Sequence, residues 1–587
     1  RRAMVHLSNR RWQPSVDALG EVLALCDSLG YVQGRQMALL QYAQALSGLK
    51  RFAEAERAFR QARQQNIRVS SMEHELIDLE LARTSLRLGK IKEAKNRLRL
   101  VTDYLDSLYL HHVRNPGMVF SLERLTEMVY EARSSAYGLL VETVKDDPEE
   151  IFPLIEQERA LLFWGKREGI QSEAGQERDA VSLYVRLLEQ FEERPEKLED
   201  KALLDSRITE MQESAVLEER ILTEAGKRVE TYAVPRLQKL RESLEKGEAF
   251  LQYFLTEGKV VVLVSRRERS KLLTLGISAG DLTATVNVFR DLLLRGKESP
   301  RDTLWRAPAS FLFETLLAPL EKAGLITQGD RLIIAPHRIL HLLPFHVLHS
   351  RNATGTSNFV VQQYTVSTVP SATWFVQTRS HPPVSMQKLL AAAPLASVLP
   401  FSGQEIERIP TKGFSSVKLL QEGDASVDEI VRLLPQFDIV HLATHSRMNP
   451  RYPLYSFIEC YDARLELHEI FHRSGPARLV ILSGCESGVG RGIYDRTYTS
   501  DDIVSFPRAF IQNGVPSVIA SLWLVEDESA AGIFEEFYSA LRGQEKPATL
   551  AGALALAQRR FLMNSTEKGQ SAHPFTWASF YLFGDGR

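Results

Sequence analysis

The hydrophobic pattern of this 587-residue chain changes its period near residue 249. Up to about Glu248, apolar residues recur at intervals of three and four and prolines are rare, which is typical of helices. From Ala249 onward, short apolar runs alternate with helical segments to the end of the chain. Since one hydrophobic core stops growing at roughly 250 to 300 residues, we expect a multidomain protein in which an α-helical part precedes an α/β part.

Two stretches of the helical part resemble each other at an interval of 39 residues. Small residues that let paired helices approach, followed by an aromatic residue or leucine, are typical of the helix-turn-helix of a tetratricopeptide (TPR) repeat. The interval exceeds the usual ~34 residues, so the repeats are degenerate, and an ordinary helical bundle is the alternative. The matching positions are Ala43, Ala55, Phe59 and Ala62 in the first stretch and Ala82, Ala94, Leu98 and Val101 in the second.

Changes in composition divide the chain into four segments. Residues 1–182 form the TPR-like repeats, and residues 183–248 form a long, charged, heptad-like helical hairpin or linker to which we assign no chemistry. Residues 249–380 and 381–587 form two halves of the α/β part. Because the chain does not begin with methionine, we expect residues upstream and take the repeat count as a lower bound.

The α/β part is predicted to begin with a β-hairpin formed by residues 250–255 and 260–264. Strands then alternate with helices, which predicts a mostly parallel sheet covered by helices on both faces. The further strands are predicted at residues 331–336, 388–393, 416–420, 438–444, 478–482, 517–523 and 578–583.

Charge and cysteine content argue against several kinds of site. The chain has 72 Lys and Arg against 74 Asp and Glu, so its formal charge of −2 gives no overall attraction to nucleic acid or an anionic membrane. Its three cysteines, Cys26, Cys460 and Cys485, are far apart and odd in number, which argues against a disulfide framework and a Cys-rich zinc site. The apolar runs are shorter than the ~18 residues of a membrane helix. We therefore expect a cytoplasmic protein without a membrane segment or cofactor.

A histidine and a cysteine stand directly after two of the predicted strands. Residues 437–444 lead into His445, and residues 477–482 lead through two small residues into Cys485. Functional groups of open α/β sheets lie just beyond the carboxyl ends of strands, so His445 and Cys485 would emerge side by side if the two strands are neighbours. A neighbouring imidazole lowers the pKa of a thiol and later protonates a leaving amine. The alternative is a cysteine that packs as a small buried hydrophobe.

The backbone around this pair suits acyl transfer. The N–H groups of Cys485 and of Ser446, the residue after His445, could stabilise a tetrahedral oxyanion, for which one donor is typically worth about 3 kcal/mol of barrier. Gly484 and its small neighbours leave room for a peptide backbone beside the thiol.

The sequence on both sides of the pair resembles that of the CHAT-domain peptidases, a caspase-like family related to separase and found together with TPR repeats. The likeness rests first on Thr444-His445 and on the run Ser483-Gly484-Cys485-Glu486-Ser487-Gly488. It extends from about residue 249 to residue 587. The other similar segments are residues 335–337, 341, 343–345, 507–510, 514–515, 517–523, 527–528, 537–538, 573–574 and 577–578.

The resemblance implies a caspase-like sheet preceded by a degenerate, pseudo-caspase half. It implies that His445 and Cys485 form a catalytic dyad that needs no third acidic member. Ser446 stands where the family often has glycine, so the backbone there has less freedom.

The acidic run at residues 526–528 has two interpretations. Acidic residues that open a helix complement its macrodipole. In separase-like relatives, an aspartate near this place receives a basic residue of the substrate. The resemblance therefore implies that Asp527, with Glu526, binds Arg or Lys before the cut.

Several histidines have a spacing that could suggest metal binding. His441 and His445 are four residues apart, but their apolar neighbours are typical of a strand and the glutamate of a zinc peptidase is absent. The other histidines, His337, His341, His346 and His349, crowd one segment of the non-catalytic half, where packing is the favoured role. We expect no metal site.

The favoured function is a regulated cysteine endopeptidase that cleaves protein substrates. We expect a regulatory protein or ribonucleoprotein to bind the TPR-like region and to order the polar segment 494–502. The alternative is a catalytically silent scaffold or adaptor. Because the similar TPR-CHAT proteins include a CRISPR-associated peptidase and others near gasdermin pores, the resemblance also implies a role in bacterial antiviral defence.

Overall fold

The computed structural model places two compact units along the chain, one built from the described residues up to 164 and the other from those after 233. The described residues are 2–64, 71–114, 123–144, 146–164, 234–351, 357–382, 386–447, 456–470, 477–484, 505–523, 527–543, 549–567 and 573–587. Among these residues, no helix combines the length and the apolar character needed to cross a membrane.

The first unit consists of helices that pack against their neighbours along the chain. Their bounds are Arg2–Ser8, Trp12–Leu29, Val32–Gly48, Phe52–Gln64, Ser71–Arg87, Ile91–Arg114, Glu123–Thr143 and Pro148–Trp164. The turns of the two similar stretches also correspond. Lys50 (φ 61°) and Gly89 (φ 74°) are 39 residues apart, and both adopt the left-handed backbone conformation between paired helices.

The side chains that define the repeat are the interior of this unit. Ala43, Ala55, Phe59 and Ala62 are fully buried, and so are Ala82, Ala94, Leu98 and Val101. Because a buried alanine lets two helix backbones approach closely, equivalent residues do the same work in both stretches. The predicted helical region with its internal similarity is therefore confirmed.

Among the described residues, the second unit is built on one mixed sheet of eleven strands. The strands are β1 (Glu248–Leu255), β2 (Val260–Ser265), β3 (Ser270–Leu275), β4 (Arg331–Ala335), β7 (Thr365–Thr368), β8 (Lys388–Ala393), β9 (Ser416–Gln421), β10 (Ile439–Leu442), β14 (Leu479–Leu482), β15 (Ser517–Ser521) and β16 (Phe580–Gly584). Their order in the sheet is β3-β2-β1-β4-β7-β16-β15-β14-β10-β8-β9. Neighbouring strands are parallel except for the pairs β1–β2, β2–β3 and β15–β16, so the predicted mostly parallel sheet is confirmed.

Two small sheets accompany the large one. The first contains β5 (His349–Arg351) and β6 (Ser357–Phe359). The second contains β11 (Ser446–Arg447), β12 (Phe457–Glu459) and β13 (Arg464–Glu466), and it begins directly after His445.

Helices cover the sheet and bury its central strands. Their bounds are Leu237–Ser243, Ala279–Leu294, Arg306–Leu316, Ala318–Lys322, Val360–Gln363, Ala372–Arg379, Pro400–Glu407, Val427–Leu433, Leu467–Ile470, Phe506–Gln512, Asp527–Arg542, Leu550–Glu567 and Pro574–Trp577. Short 3-10 turns occur at residues 295–297, 338–342, 345–347, 422–424 and 434–436. Every residue of β4, β10, β14 and β15 is buried, which explains why these strands are mainly apolar in the sequence.

The sheet contains two halves that meet between β7 and β16. The strands β1 to β4 and β7 come from residues before 380, whereas β8 to β10 and β14 to β16 come from residues after 385. Thr368 of β7 pairs with Phe583 of β16. The two halves therefore share one continuous sheet, although they are consecutive in the chain.

A buried cluster of charges ties the two halves together away from this pair. Arg379 donates to Glu248 at 3.0 Å and also forms an ion pair with Asp585, and the side chains of all three are at most 6% exposed. Arg331 pairs with the same Glu248, and Arg587 pairs with Asp585 at 2.6 Å. Since Glu248 opens β1 and Asp585 follows β16, the cluster connects the strand that comes first in the chain with the strand that comes last.

The predicted charged hairpin at residues 183–248 lies outside the described residues up to residue 233. From residue 234 the structure shows the short helix Leu237–Ser243 and then the start of β1. The segment boundaries at residues 182 and 380 stay predictions.

Candidate active site

The site begins with two neighbouring parallel strands. Pairing of β10 with β14 runs from Ile439 opposite Leu479 to Leu442 opposite Leu482. The N–H of Ser483 extends this ladder by donating to the carbonyl of Leu442 at 2.9 Å. The chain segments that follow the two strands therefore leave the sheet together at its carboxyl edge, as the sequence predicted.

His445 lies in the first of these segments and is exposed. Its backbone is fixed, because its carbonyl accepts from the N–H of Glu459 at 2.9 Å. The hydroxyl of Thr444, one residue before, donates to the carbonyl of the same Glu459 at 2.8 Å. Ser446, one residue after, pairs with Ile458 of β12. An imidazole on an anchored backbone is thus open to solvent and to a substrate.

Gly484 brings the second segment against the first. A β-carbon at Gly484 would lie 2.4 Å from the carbonyl oxygen of Thr444 and 3.0 Å from the hydroxyl of Ser446. It would also lie 3.3 Å from the backbone nitrogen of Ser446. Only glycine fits between these atoms without displacing backbone. The carbonyl of Gly484 accepts from the hydroxyl of Ser521 at 2.5 Å, which fixes it from the other side.

The remaining predicted site residues lie at the limits of the described chain. Cys485 and Glu526 are outside the described residues, as is the segment 494–502. Asp527 is the first residue of the helix Asp527–Arg542, and its side chain is outside the described part. The structure therefore brings together His445, Ser446 and Gly484.

Beneath the carboxyl edge of the sheet, a buried polar network joins β10 and β14. His441 of β10 has its Nε2 2.7 Å from Oε1 of Glu405 and its Nδ1 3.1 Å from the hydroxyl of Tyr538. The hydroxyl of Ser483 donates to Oε2 of Glu405 at 3.0 Å. Sequence reasoning missed Glu405 and assigned Tyr538 no contact. The only sequence signal was a glutamate beside the apolar Ile406 in a predicted helix.

His337 and His346 of the first half of the sheet make packing contacts. His337 is fully buried, stacks on Phe254 at 4.3 Å and accepts the N–H of Leu255 at 3.0 Å. Nε2 of His346 lies 2.8 Å from the carbonyl of Ala578, and burial lowers the pKa of His346 to about 4. Within the described ranges, no group of three His, Cys, Asp or Glu side chains could hold a metal ion.

The two described cysteines are unsuited to nucleophilic attack. Cys26 and Cys460 are both buried free thiols. Burial, with smaller contributions from the nearby Asp462 and Glu469 carboxylates, raises the pKa of Cys460 to about 12. A thiol with this pKa is protonated at neutral pH and does not attack a carbonyl.

Fold and site together define an α/β protein in which a histidine and a glycine-cysteine run follow adjacent parallel strands, preceded in the chain by repeat-like helices. Residues 306–585 match the family model described as "CHAT domain", so this part of the chain is a CHAT domain. Because the helical unit precedes this domain, the chain is organised as a TPR-CHAT protein. The match excludes β1 to β3, which complete the first half of the sheet.

Curated relatives agree with this arrangement. The chain is 23% identical over 340 residues to tetratricopeptide repeat protein 28 of Homo sapiens, and 22% identical over 345 residues to the Mus musculus protein of the same name. Each alignment covers 48% of this chain but only 13% of the relative's length.

Solved structures show more distant similarity. The Saccharomyces cerevisiae separase–securin complex aligns with 94% of this chain and 54% of its own, with a TM-score of 0.41 and 10% identity. The complex of pro- and mature domains of Porphyromonas gingivalis RgpB aligns with 52% of this chain and 76% of its own, with a TM-score of 0.33 and 11% identity. Scores this low do not establish a common fold.

Proposed function

We propose that the chain is a cysteine endopeptidase in which His445 is the general base and Cys485 the nucleophile. The close packing of Gly484 against the backbone from Thr444 to Ser446 carries this proposal. Cys485 follows Gly484 directly, so its backbone must start within a few ångströms of the segment that carries His445. The exposure of His445 adds support, because a general base has to reach both the thiol and the substrate.

The reaction proceeds in two acyl-transfer steps. His445 takes the proton of the Cys485 thiol, and the thiolate attacks the scissile carbonyl carbon. The oxyanion that forms accepts hydrogen bonds from the backbone N–H groups of Ser446 and Cys485. His445 then gives its proton to the leaving amine, and a thioester remains. Water, deprotonated by His445, hydrolyses the thioester and releases the carboxylic acid.

The substrate is a protein that carries Arg or Lys before the cut. The helix that Asp527 opens follows β15, which pairs in parallel with β14, and this strand order supports the proposal. Gly484 leaves space for the substrate backbone. A cleavage profile from a peptide library should be dominated by basic residues. A profile dominated by Leu, Met or Asp contradicts this part of the proposal.

Activity is regulated through the helical unit. A protein or ribonucleoprotein partner binds the repeats and orders residues 494–502. The cleavage serves bacterial antiviral defence, either in a CRISPR-associated or in a gasdermin-type system. The scattered cysteines suit a cytoplasmic setting. Equal activity of the full chain with and without the partner would contradict this regulation, and the genes that neighbour this one would identify the system.

Covalent labelling tests the dyad. The purified chain is treated with a peptide-like, thiol-directed electrophile, and the tagged cysteine is identified by mass spectrometry. We expect one tag, on Cys485, because Cys26 and Cys460 are buried. His445→Ala should abolish the tag, whereas His381→Ala, a change at an exposed histidine remote in sequence from the site, should leave it unchanged.

The same experiment separates the peptidase from a silent scaffold. A scaffold has no need of an activated thiolate, so Cys485 would be tagged slowly and equally in the wild-type and His445→Ala chains. Tagging that depends on His445 excludes this alternative.

A further inference from the structure

We propose that Glu405 is a positioning residue that holds the two dyad-bearing segments at a fixed separation. The inference rests on the proposed function, because it assigns Glu405 a role in the reaction of His445 and Cys485. Glu405 itself lies beneath the carboxyl edge of the sheet. It acts through β10 and β14, the strands that precede His445 and Cys485 in the chain.

The contacts of Glu405 divide evenly between the two strands. Its Oε1 binds Nε2 of His441, the third residue of β10, at 2.7 Å. Its Oε2 accepts from the hydroxyl of Ser483, the residue after β14, at 3.0 Å. His441 precedes the proposed base by four residues, and Ser483 precedes the proposed nucleophile by two. One carboxylate thus bridges the same two segments that must meet for catalysis.

Because the bridge is buried, its loss costs free energy. Glu405 is 3% exposed and His441 is fully buried, so neither can exchange its partner for water. A buried carboxylate that loses a hydrogen-bond donor bears the full cost of the unsatisfied group, which resists movement of either strand end. The helix Pro400–Glu407 packs on β8, the strand next to β10, and so supplies a support separate from both dyad-bearing strands.

The orientation of the His441 ring is fixed from its other side. Burial and the nearby Glu405 carboxylate raise the pKa of Tyr538 well above its usual value, so its hydroxyl keeps its proton. This hydroxyl lies 3.1 Å from Nδ1 of His441, while Nε2 of the same ring lies 2.7 Å from Oε1 of Glu405. The ring is therefore held between Tyr538 and Glu405.

The rate of the proposed reaction depends on the distance between the segments that carry His445 and Cys485. A misplacement of about 1 Å between reacting groups can cost roughly 100-fold in rate. We expect loss of the bridge to reduce the rate of thiol acylation while leaving substrate affinity unchanged, because Glu405 lies below the surface on which substrate binds.

Glu405→Gln and Ser483→Ala break the bridge to different extents, and Glu407→Gln is the matched control. Glu407 is on the same helix, but it is exposed and accepts from the side-chain amide of Gln421 of the edge strand β9. Two quantities are measured in the full chain. The first is hydrogen–deuterium exchange of peptides covering residues 439–447 and 479–484. The second is tagging of Cys485 by the peptide-like electrophile, resolved into the maximum tagging rate and the half-saturating probe concentration.

We expect Glu405→Gln to speed exchange in both peptides and to lower the maximum tagging rate at least about 10-fold, with an unchanged half-saturating concentration. Ser483→Ala, which deletes one hydroxyl and should fold normally, should give a smaller change in the same direction, and Glu407→Gln none. Faster exchange with an unchanged tagging rate would make the network purely structural and overturn the inference. Unchanged exchange in both bridge variants would overturn it as well. Absence of tagging in the unmutated chain would instead contradict the dyad itself, and this outcome is recognisable without any variant.

Discussion

The two halves of the sheet each place a histidine just beyond a parallel strand, but the surroundings of the two rings differ. His337 follows β4 and is fully buried, with Phe254 stacked on its ring and the N–H of Leu255 on its Nδ1. His445 follows β10 and is exposed, and its backbone carbonyl accepts from the N–H of Glu459. The same position at the end of a strand therefore serves packing in one half and is available for chemistry in the other.

This difference shows which additional features a site at a strand end requires. In the first half, a 3-10 turn at residues 338–342 directly follows His337 and returns apolar side chains to the core. In the second half, β11 leads the chain into a small separate sheet, and Gly484 admits the neighbouring segment. An open edge and a close approach of two backbones, rather than a histidine alone, distinguish the half that carries His445.

The largest expected effect separates the two histidines. His445→Ala should lower peptide hydrolysis by about 100-fold to 10,000-fold, because it removes the general base. Its free energy of unfolding should stay within about 0.5 kcal/mol of wild type, since the residue is exposed. His337→Ala should do the reverse, with a loss of stability and an unchanged rate per folded molecule. The checks are hydrolysis kinetics and denaturant unfolding, and a loss of activity in His337→Ala at full stability would break the comparison.

The next effect tests whether the halves unfold as one body. Arg379→Ala removes the cation that Glu248 and Asp585 share and leaves each carboxylate with one arginine, Arg331 or Arg587. It should therefore cost less than the roughly 3 to 5 kcal/mol of a buried charge that loses its only partner. In Arg379→Ala, the second unit should still unfold in a single transition, but with its midpoint at a lower denaturant concentration than in the wild-type chain. Arg432→Ala is the control, because its ion pair with Glu429 lies at the surface, where water and salt screen it, and its loss should leave the transition unchanged. Two separate transitions within the second unit of the wild-type protein would contradict a continuous sheet that unfolds cooperatively.

A smaller effect uses pH to probe the first half. Burial lowers the pKa of His346 from 6.5 to about 4, so the folded ring stays neutral while the unfolded chain takes up a proton. Stability from this group is complete above pH 6.5 and is lost as the pH falls toward 4, by about 3 kcal/mol. We expect the pH dependence of the melting temperature over this interval to be shallower in His346→Gln. Equal slopes in the two proteins would show that His346 is not held neutral.

The smallest expected effect concerns the close approach in the second half. Gly484→Ala places a β-carbon against the carbonyl of Thr444 and should lower the tagging rate of Cys485 about 10-fold by shifting the segment that precedes it. Gly280→Ala is the matched control, because the nearest atom to its added β-carbon would be 3.9 Å away. An unchanged rate in Gly484→Ala would mean that the contact does not position the nucleophile.

Much of the sheet could be predicted from sequence because its central strands are buried on both faces. β8 has the predicted bounds of residues 388–393, and the other predicted strands differ by a few residues at their ends. β3 was missed because it is a partly exposed outer strand with a mixed pattern, and β7 because it is a run of four residues, Thr365 to Thr368, of which three are polar. Partly exposed or short strands lack the continuous apolar run that made the others visible.

The site could be predicted only as far as it depends on strand ends. His445 and Gly484 stand where two apolar runs stop, and the pairing of β10 with β14 brings them together. Glu405 could not be found in this way. Its helix also carries exposed polar residues such as Gln404 and Glu407, and its burial depends on which strands it packs against. That information lies in the sheet order, which no local pattern contains.

The most direct test of the central claim is the pH dependence of Cys485 alkylation by iodoacetamide in the wild-type and His445→Ala chains. A thiol activated by the neighbouring imidazole should alkylate with an apparent pKa well below the ~8.5 of a free cysteine, and this pKa should return to about 8.5 or above in the variant. Identical profiles with an apparent pKa near 8.5 in both chains would contradict a His445–Cys485 dyad.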